Sequence, residues 1–222
     1  MNPLAQPFIP SGTLPFLSTG VGTDVYKIPQ NRPGGNRKPK KPFWLSPEGY
    51  ELYAGGILFY NDEVPTPQKW FVIKENTQHG IKYMDIGGKY QYTDGDIYTT
   101  IARELCEETC QTVQVTRDVI VSMALRPDVA KVYVDGHAGL PVYLCLIVPI
   151  SVARAFYGIQ LPSRWHFLSA RNRFLSANPG MKNESGDTDW YPIDIDTITH
   201  DDPNRGKRLR EIFDTYMGIP LR

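Results

Sequence analysis

The chain has 222 residues, 41% hydrophobic and 22% charged, enough for one sizeable globular domain with its own core. Its 24 basic and 24 acidic residues cancel to a formal net charge of zero, so no global field draws it to nucleic acid or a membrane, and any such affinity has to come from a local patch. The cysteines, Cys106, Cys110 and Cys145, are too few and odd in number for a disulfide framework and suit a reducing compartment as free thiols.

The N-terminal stretch MNPLAQPFIPSG has neither a basic n-region nor an unbroken apolar core, so it does not read as a secretory signal. The longest apolar run, 140–150, is far short of the roughly 20 residues that span a bilayer. No membrane partner is expected, and a cytoplasmic location is the default. Residues 1–43, rich in Pro, Gly, Ser and Thr, read as a flexible extension ahead of a domain over 44–222. Within the extension, Arg32, Arg37, Lys38, Lys40 and Lys41 form a basic stretch able to touch phosphates, although a solvated tail is the ordinary explanation.

In chain order, 51–61 (ELYAGGILFYN) reads as a strand with glycines where another backbone or a ligand comes close, and 69–76 (KWFVIKEN) as its hairpin partner. A third strand, 81–89, ends in a Gly-Gly turn. After a loop, a helix runs from about Asp96 to Cys110, with Asp94 or Asp96 as its N-cap. Strands are expected at 115–124, 130–136 and 140–150, the last two as a hairpin. Residues 151–182 look irregular with helical pieces, 189–194 (DWYPID) is a short strand, and 204–218 is a helix with Leu209, Ile212, Phe213 and Met217 on one face and Asn204 as its cap. This alternation predicts an α/β fold with a mixed sheet flanked by helices.

One stretch carries chemistry. Gly87-Gly88-Lys89 is followed by a loop and then by Arg103-Glu104-Leu105-Cys106-Glu107-Glu108. At about 100° per residue, Glu104, Glu107 and Glu108 fall within roughly one third of the helix circumference, beside a stripe of Tyr98, Ile101, Ala102 and Leu105 that can face a sheet. Like charges at this spacing repel and weaken a helix, and clustered carboxylates are what hard cations such as Mg²⁺ bind, typically together with substrate phosphates. An arginine at 103 can fork onto one carboxylate and fix its orientation. For a bare acidic pair, a solvated helix face is the ordinary explanation. The complete arrangement of strand, GGK, loop and RELxEE is much more specific.

That arrangement resembles the Nudix box, G-x5-E-x7-R-E-U-x-E-E-x-G-U with U apolar, over residues 87–112, and the surrounding pattern extends the resemblance weakly over 51–195. The resemblance implies a Nudix-like α/β/α sandwich and hydrolysis of a diphosphate linkage in a nucleoside diphosphate-X substrate, with water attacking phosphorus and Mg²⁺, or Mn²⁺ in its place, as cofactor. It makes Glu104, Glu107 and Glu108 metal ligands, with Glu104 doubling as a base. It gives Gly88, or its neighbour Gly87, a metal-facing carbonyl, and Arg103 the task of orienting a carboxylate. A further carboxylate is expected from the loop before the late strand: Glu184, six residues before Trp190, with Asp187 and Asp189 as rivals.

The box has departures. Gly88 to Arg103 is one residue longer than the pattern, and its first Glu has no counterpart, Asp94 and Asp96 flanking the position. Cys110 replaces the last glycine and Gln111 the apolar residue after it. They motivate an alternative, a catalytically inactive nucleotide-binding module. A second alternative, hydrolysis of an RNA cap or 5′-end diphosphate, is favoured mildly by the basic stretch and by the arginines of 154–173 and 205–210. The substrate-binding residues and the oligomeric state, a homodimer included, stay open at this point.

Overall fold

A computed structural model of the chain describes residues 42–64, 68–135, 141–178 and 192–218. The extension expected up to residue 43 therefore lies, as far as residue 41, outside the described residues. The described elements are β1 (Trp44–Leu45), β2 (Glu51–Leu52), β3 (Ala54–Asn61), β4 (Lys69–Thr77), β5 (Gly80–Met84), β6 (Ile86–Lys89), a 3-10 turn (Tyr92–Asp94), α1 (Ile97–Glu108), α2 (Arg117–Ala124), β7 (Ala130–Asp135), β8 (Pro141–Pro149), α3 (Ile150–Tyr157), α4 (Arg164–Ala177), β9 (Asp194–Ile198) and α5 (Lys207–Tyr216).

β1 and β2 form a small antiparallel pair. The remaining strands build one sheet in the order β5-β4-β3-β8-β7, with β6 paired to β3 and β9 to β4. The sheet is mixed because β3 runs parallel to β8 while its other pairings are antiparallel. β3 is central. Its first half, Ala54–Ile57, faces β6, its last residues, Phe59–Asn61, face β4, and Ala54–Tyr60 pair with β8.

Strand residues alternate between two apolar layers, as the period of two requires. Ile57, Phe59, Phe71, Ile73, Leu144, Leu146 and Val148 join the layer that also holds Ile97, Ile101 and Leu105 of α1, Ile120 and Met123 of α2, and Phe167 of α4. Leu58, Trp70, Val72, Cys145 and Ile147 join the opposite layer with Leu209, Ile212 and Phe213 of α5. Both sheet faces are thus buried between helices, and the fold is α/β with a mixed sheet. Burying each large apolar side chain contributes about 1.5–3 kcal/mol, so the sheet and its helices hold each other in place. Among the described residues no helix is long and apolar enough to cross a membrane.

Four expectations need correction. Residues 115–124 are not a strand. Their β-branched content suggested one, but Thr116 caps a helix by accepting from the Val119 N–H, and Ile120, Met123 and Ala124 bury one helical face. Residues 81–89 form two strands, because the buried Asp85 breaks the run. β5 pairs with β4 and β6 with β3, so Gly87 and Gly88 lie inside a strand rather than a turn. Within 151–182, the expected helical pieces are the regular helices α3 and α4, joined by an irregular connection, as far as the stretch is described. The late strand begins only at Asp194 as far as it is described, residues 189–191 falling outside the described set. Asn204 is not the cap of α5: the Asn204 carbonyl accepts from the Tyr83 N–H, and Gly206 stands at the N-cap, its own N–H donating to the Tyr83 carbonyl.

The β3–β6 pairing aligns four glycines, Gly55 with Gly88 and Gly56 with Gly87. A Cβ on Gly87 would overlap the Tyr143 hydroxyl and lie 2.5 Å from the Gly55 carbonyl oxygen and the Gly56 Cα. Two of those neighbours are backbone and cannot swing away. Gly87→Ala is therefore expected to lower stability by about 1–3 kcal/mol, the range for overpacking a filled site. Urea denaturation of both proteins checks this.

Candidate functional site on helix α1

Helix α1 starts where Asp96 caps it, its carboxylate accepting from the Thr99 N–H at 2.8 Å. The helix then lays Ile97, Ile101 and Leu105 against the sheet. Close approach is possible because Gly55 has no side chain: a Cβ there would sit 2.9 Å from Ile97 Cγ1. The same geometry brings Glu104 onto the strand backbone, where a Cβ on Gly88 would overlap its carboxylate. Gly88 and Glu104 are thus held in contact, while Glu107 is exposed and Glu108 half-buried.

Arg103 is the hub of the site. Its Nε donates to Asp94 Oδ1 at 3.0 Å and its Nη2 to Asp94 Oδ2 at 3.1 Å. Nη2 also reaches the Lys89 carbonyl at 2.9 Å. Nη1 donates to Glu104 Oε1 at 2.6 Å and to Glu107 Oε2 at 3.0 Å. One guanidinium therefore ties the loop after β6 to two of the three helix carboxylates. Asp94 accepts further from the Gln91 N–H at 3.0 Å and the Thr100 hydroxyl at 2.8 Å. Burial alone would push its carboxyl up, but Arg103, Gln91 and Thr100 together hold it below its ordinary value of 3.8. In the lengthened loop, then, it is Asp94 that meets the arginine; Asp96 serves as the helix cap.

A second arginine, not singled out from the sequence, enters from the opposite layer. Arg208 of α5 donates from Nε to Asp85 Oδ1 at 2.8 Å and from Nη2 to the Gly87 carbonyl at 3.1 Å. The guanidinium carbon lies 4.6 Å from the centre of the Tyr143 ring, and the Tyr143 hydroxyl donates to the other oxygen of Asp85. Burial raises the Tyr143 hydroxyl well above its ordinary range, which keeps it a donor. The Gly87 carbonyl is thus engaged by Arg208.

The acidic group also extends to Glu75 on β4, which sequence reasoning missed. Burial raises its carboxyl, Arg208 lowers it and Asp85 raises it. Burial likewise raises Glu104, against the pull of Arg103. Glu108 is driven well above the ordinary carboxylate range, by burial first and then by Glu75 and Glu104. Its Oε2 is buried without a hydrogen-bond partner. The signal for Glu75 was strand parity: Phe71, Ile73 and Glu75 share the face that meets α1. Asp85 was visible as a charge between Met84 and Ile86, whereas no local pattern marks Arg208.

The oxygen-only donors, the orphaned Glu108 oxygen and the bare Gly88 backbone beside Glu104 fit a hard divalent cation in their chemistry. As the side chains stand, Glu104 and Glu107 are shared by Arg103, and among the described residues no group of three or more His, Cys, Asp or Glu side chains is assembled to hold a metal ion. Glu184, Asp187 and Asp189 lie outside the described residues. Of the arginines expected to meet phosphate, Arg154 pairs with Glu63 and Arg164 with Asp194. The three thiols are free, with Cys110 and Cys145 buried and Cys106 half-buried.

Where the box pattern has its last glycine, the helix ends in a left-handed pair: Cys110 has φ 50° and Gln111 φ 63°. The backbone thus takes the conformation a glycine favours, without the glycine.

No family model matches the chain, and no curated protein matches it. Among solved structures it is similar to a C. elegans Ap4A hydrolase crystallised as a binary complex, with a TM-score of 0.26 and 13% identity. That match covers 44% of this chain and just under two thirds, 66%, of the other.

Two outcomes follow from this geometry. Asp94→Asn is expected to lower stability at neutral pH by about 1.5–3 kcal/mol, the scale of charge-assisted hydrogen bonds. Because the folded-state carboxyl lies below 3.8, its stabilisation is fully present above that pH and fades as pH falls through the lower folded value. Melting curves at pH 7 and near pH 2 should therefore show a wide gap between wild type and variant that narrows in acid. Gln111→Gly, which relieves a left-handed non-glycine residue, is expected to raise stability by about 0.5–1 kcal/mol, read from the same melts.

Proposed function

We propose that this protein hydrolyses a diphosphate linkage in a nucleoside diphosphate-X substrate, with Mg²⁺ or Mn²⁺ as cofactor. The observation that carries this reading is the carboxylate face of α1, with Glu104 pressed against the Gly88 backbone and Arg103 binding Glu104, Glu107 and the Asp94 loop together. The sequence resemblance of 87–112 to the Nudix box points the same way.

Glu104, Glu107 and Glu108, with the Gly88 carbonyl, are the groups that would hold the cation. When bound, the cation supplies neutralisation of phosphate charge and acidifies the attacking water. Arg103 fixes the orientation of two of these carboxylates, since both lie on its Nη1. Glu104 is the group assigned to take the proton from water, its basicity raised by burial. Arg208 and Asp85 hold the Gly87–Gly88 strand from behind through the Gly87 carbonyl. Attack in line with the leaving group is then a matter of positioning and electrostatics.

The test is incubation of the full chain with Mg²⁺, then Mn²⁺, against nucleoside triphosphates, ADP-ribose, dinucleoside polyphosphates and capped RNA, with products separated by chromatography. Products from one substrate class are expected. The Glu107→Gln, Glu108→Gln double variant should lose roughly a hundredfold or more in kcat, the scale of removing charge stabilisation from a transition state. Absence of turnover with either cation on every substrate overturns the reading in favour of a nucleotide-binding module.

A further inference from the structure

We propose that Glu75 of β4 is a further ligand for a divalent cation, held together with Glu108 of α1. The inference rests on the cation-dependent reading of α1 and adds to it a strand that lies outside the 87–112 motif.

Glu75 reaches the site because the sheet splits. β4 pairs with β3 only over Lys69–Phe71 and with β5 over Ile73–Thr77, whereas the first half of β3 pairs with β6. Asp85, between β5 and β6, stands where the two strand pairs part. Side chains two apart on a strand share a face. Phe71 and Ile73 lie in the apolar layer with α1, so Glu75 is the next residue of β4 on that face. It is half-buried there. The apolar stripe of β4 thus ends in a carboxylate on the side where α1 presents its own.

Among the described residues, neither Glu75 nor the inner oxygen of Glu108 is matched by a donor. Glu108 Oε2 is buried without a hydrogen-bond partner. Glu75 forms no ion pair, although Lys82 stands opposite it across the β4–β5 pairing. Arg208 bears on both carboxylates, but its Nε and Nη2 are committed to Asp85 and the Gly87 carbonyl. Of the charges that act on Glu108, Glu75 acts most strongly, ahead of Glu104. Two carboxylates that repel across buried space favour a cation between them. The pair offers only oxygen. Mg²⁺ is commonly held by one or two carboxylates, with water and substrate phosphate completing its shell, and Mn²⁺ accepts the same donors. Two carboxylates therefore suffice, and no third acidic side chain has to be assembled with them.

The experiment titrates the full chain with Mn²⁺ alone by calorimetry, in the absence of nucleotide. Glu75→Gln keeps the shape of the side chain and removes its charge. It is expected to weaken Mn²⁺ affinity at least about tenfold, since even the outer-shell partners of a metal carry roughly 10–100-fold. Glu75→Asp keeps the charge and draws the carboxylate back by one methylene. A ligand loses affinity in this variant too, whereas a charge acting from a distance does not. Glu108→Gln should weaken binding as Glu75→Gln does, and the variant with both changes little further, because one ion needs both groups. Circular dichroism melts verify that the variants fold without cation, and the rise in melting temperature that Mn²⁺ produces in the wild type should shrink in parallel. No Mn²⁺ binding by the wild type at millimolar concentration overturns the proposal. So does unchanged affinity in Glu75→Gln, the result if a proton satisfies the pair, or wild-type affinity in Glu75→Asp. These titrations involve no turnover, so failure of hydrolysis on every substrate leaves them intact. Conversely, cation-dependent hydrolysis with unaltered kcat and KM in Glu75→Gln would sink the role of Glu75 while sparing the hydrolase reading.

Discussion

The structure turns on a place where two strands have no side chains. Gly55 pairs with Gly88 and Gly56 with Gly87 across β3 and β6. On one side, the bare backbone at Gly55 and Gly88 admits Ile97 and Ile101 of α1 and the Glu104 carboxylate; on the other, Gly56 and Gly87 make room for the Tyr143 hydroxyl. Any Cβ in this square would lever either the helix or the tyrosine away. The packing of α1 and the position of its acidic face are therefore one constraint, set by Gly55 and Gly88.

Charge is arranged around that square in two halves. Arg103 lies on the helix side and gathers Asp94, Glu104 and Glu107. Arg208 lies on the far side and meets Asp85, with Glu75 and Glu108 within its field. Buried carboxylates demand such partners, because an uncompensated buried charge is strongly destabilising. The compensation is incomplete at Glu108, whose inner oxygen is left without a donor. An unmatched group of this kind is uncommon in a core and usual at a functional site.

Much of this was legible in the sequence where periodicity was strong. The hairpin of β3 and β4, the helix over about 96–110 and the arc of Glu104, Glu107 and Glu108 follow from spacing alone. Residues 115–124 misled because Val115, Val119, Ile120 and Val121 favour a strand locally, while burial of Ile120, Met123 and Ala124 on α1 and its neighbours favours a helix. Tertiary packing overrode propensity there. Arg208 was illegible for a different reason. Its partner Asp85 lies far away in the chain, and nothing within α5 distinguishes it from Lys207 or Arg210, which face outward. Asp94 was half legible: the loop length put two aspartates near the right place, and only the path of the chain separates the cap from the partner of Arg103.

The parallel pairing of β3 with β8 also bears on how the protein comes to exist. Ala54 meets Tyr143 across that pairing, and every element from β4 to β7 is made in between. Such non-local contacts form slowly, and a chain emerging from the ribosome folds first what it has first. On a nascent chain, α1 and the β3–β6 glycines it packs on are made before β8 delivers Tyr143, and long before α5 delivers Arg208. The acidic helix and the Arg103 that gathers its carboxylates are thus early products, whereas the Tyr143–Asp85–Arg208 support on the far side of the glycine strands is a late one and arrives with closure of the sheet.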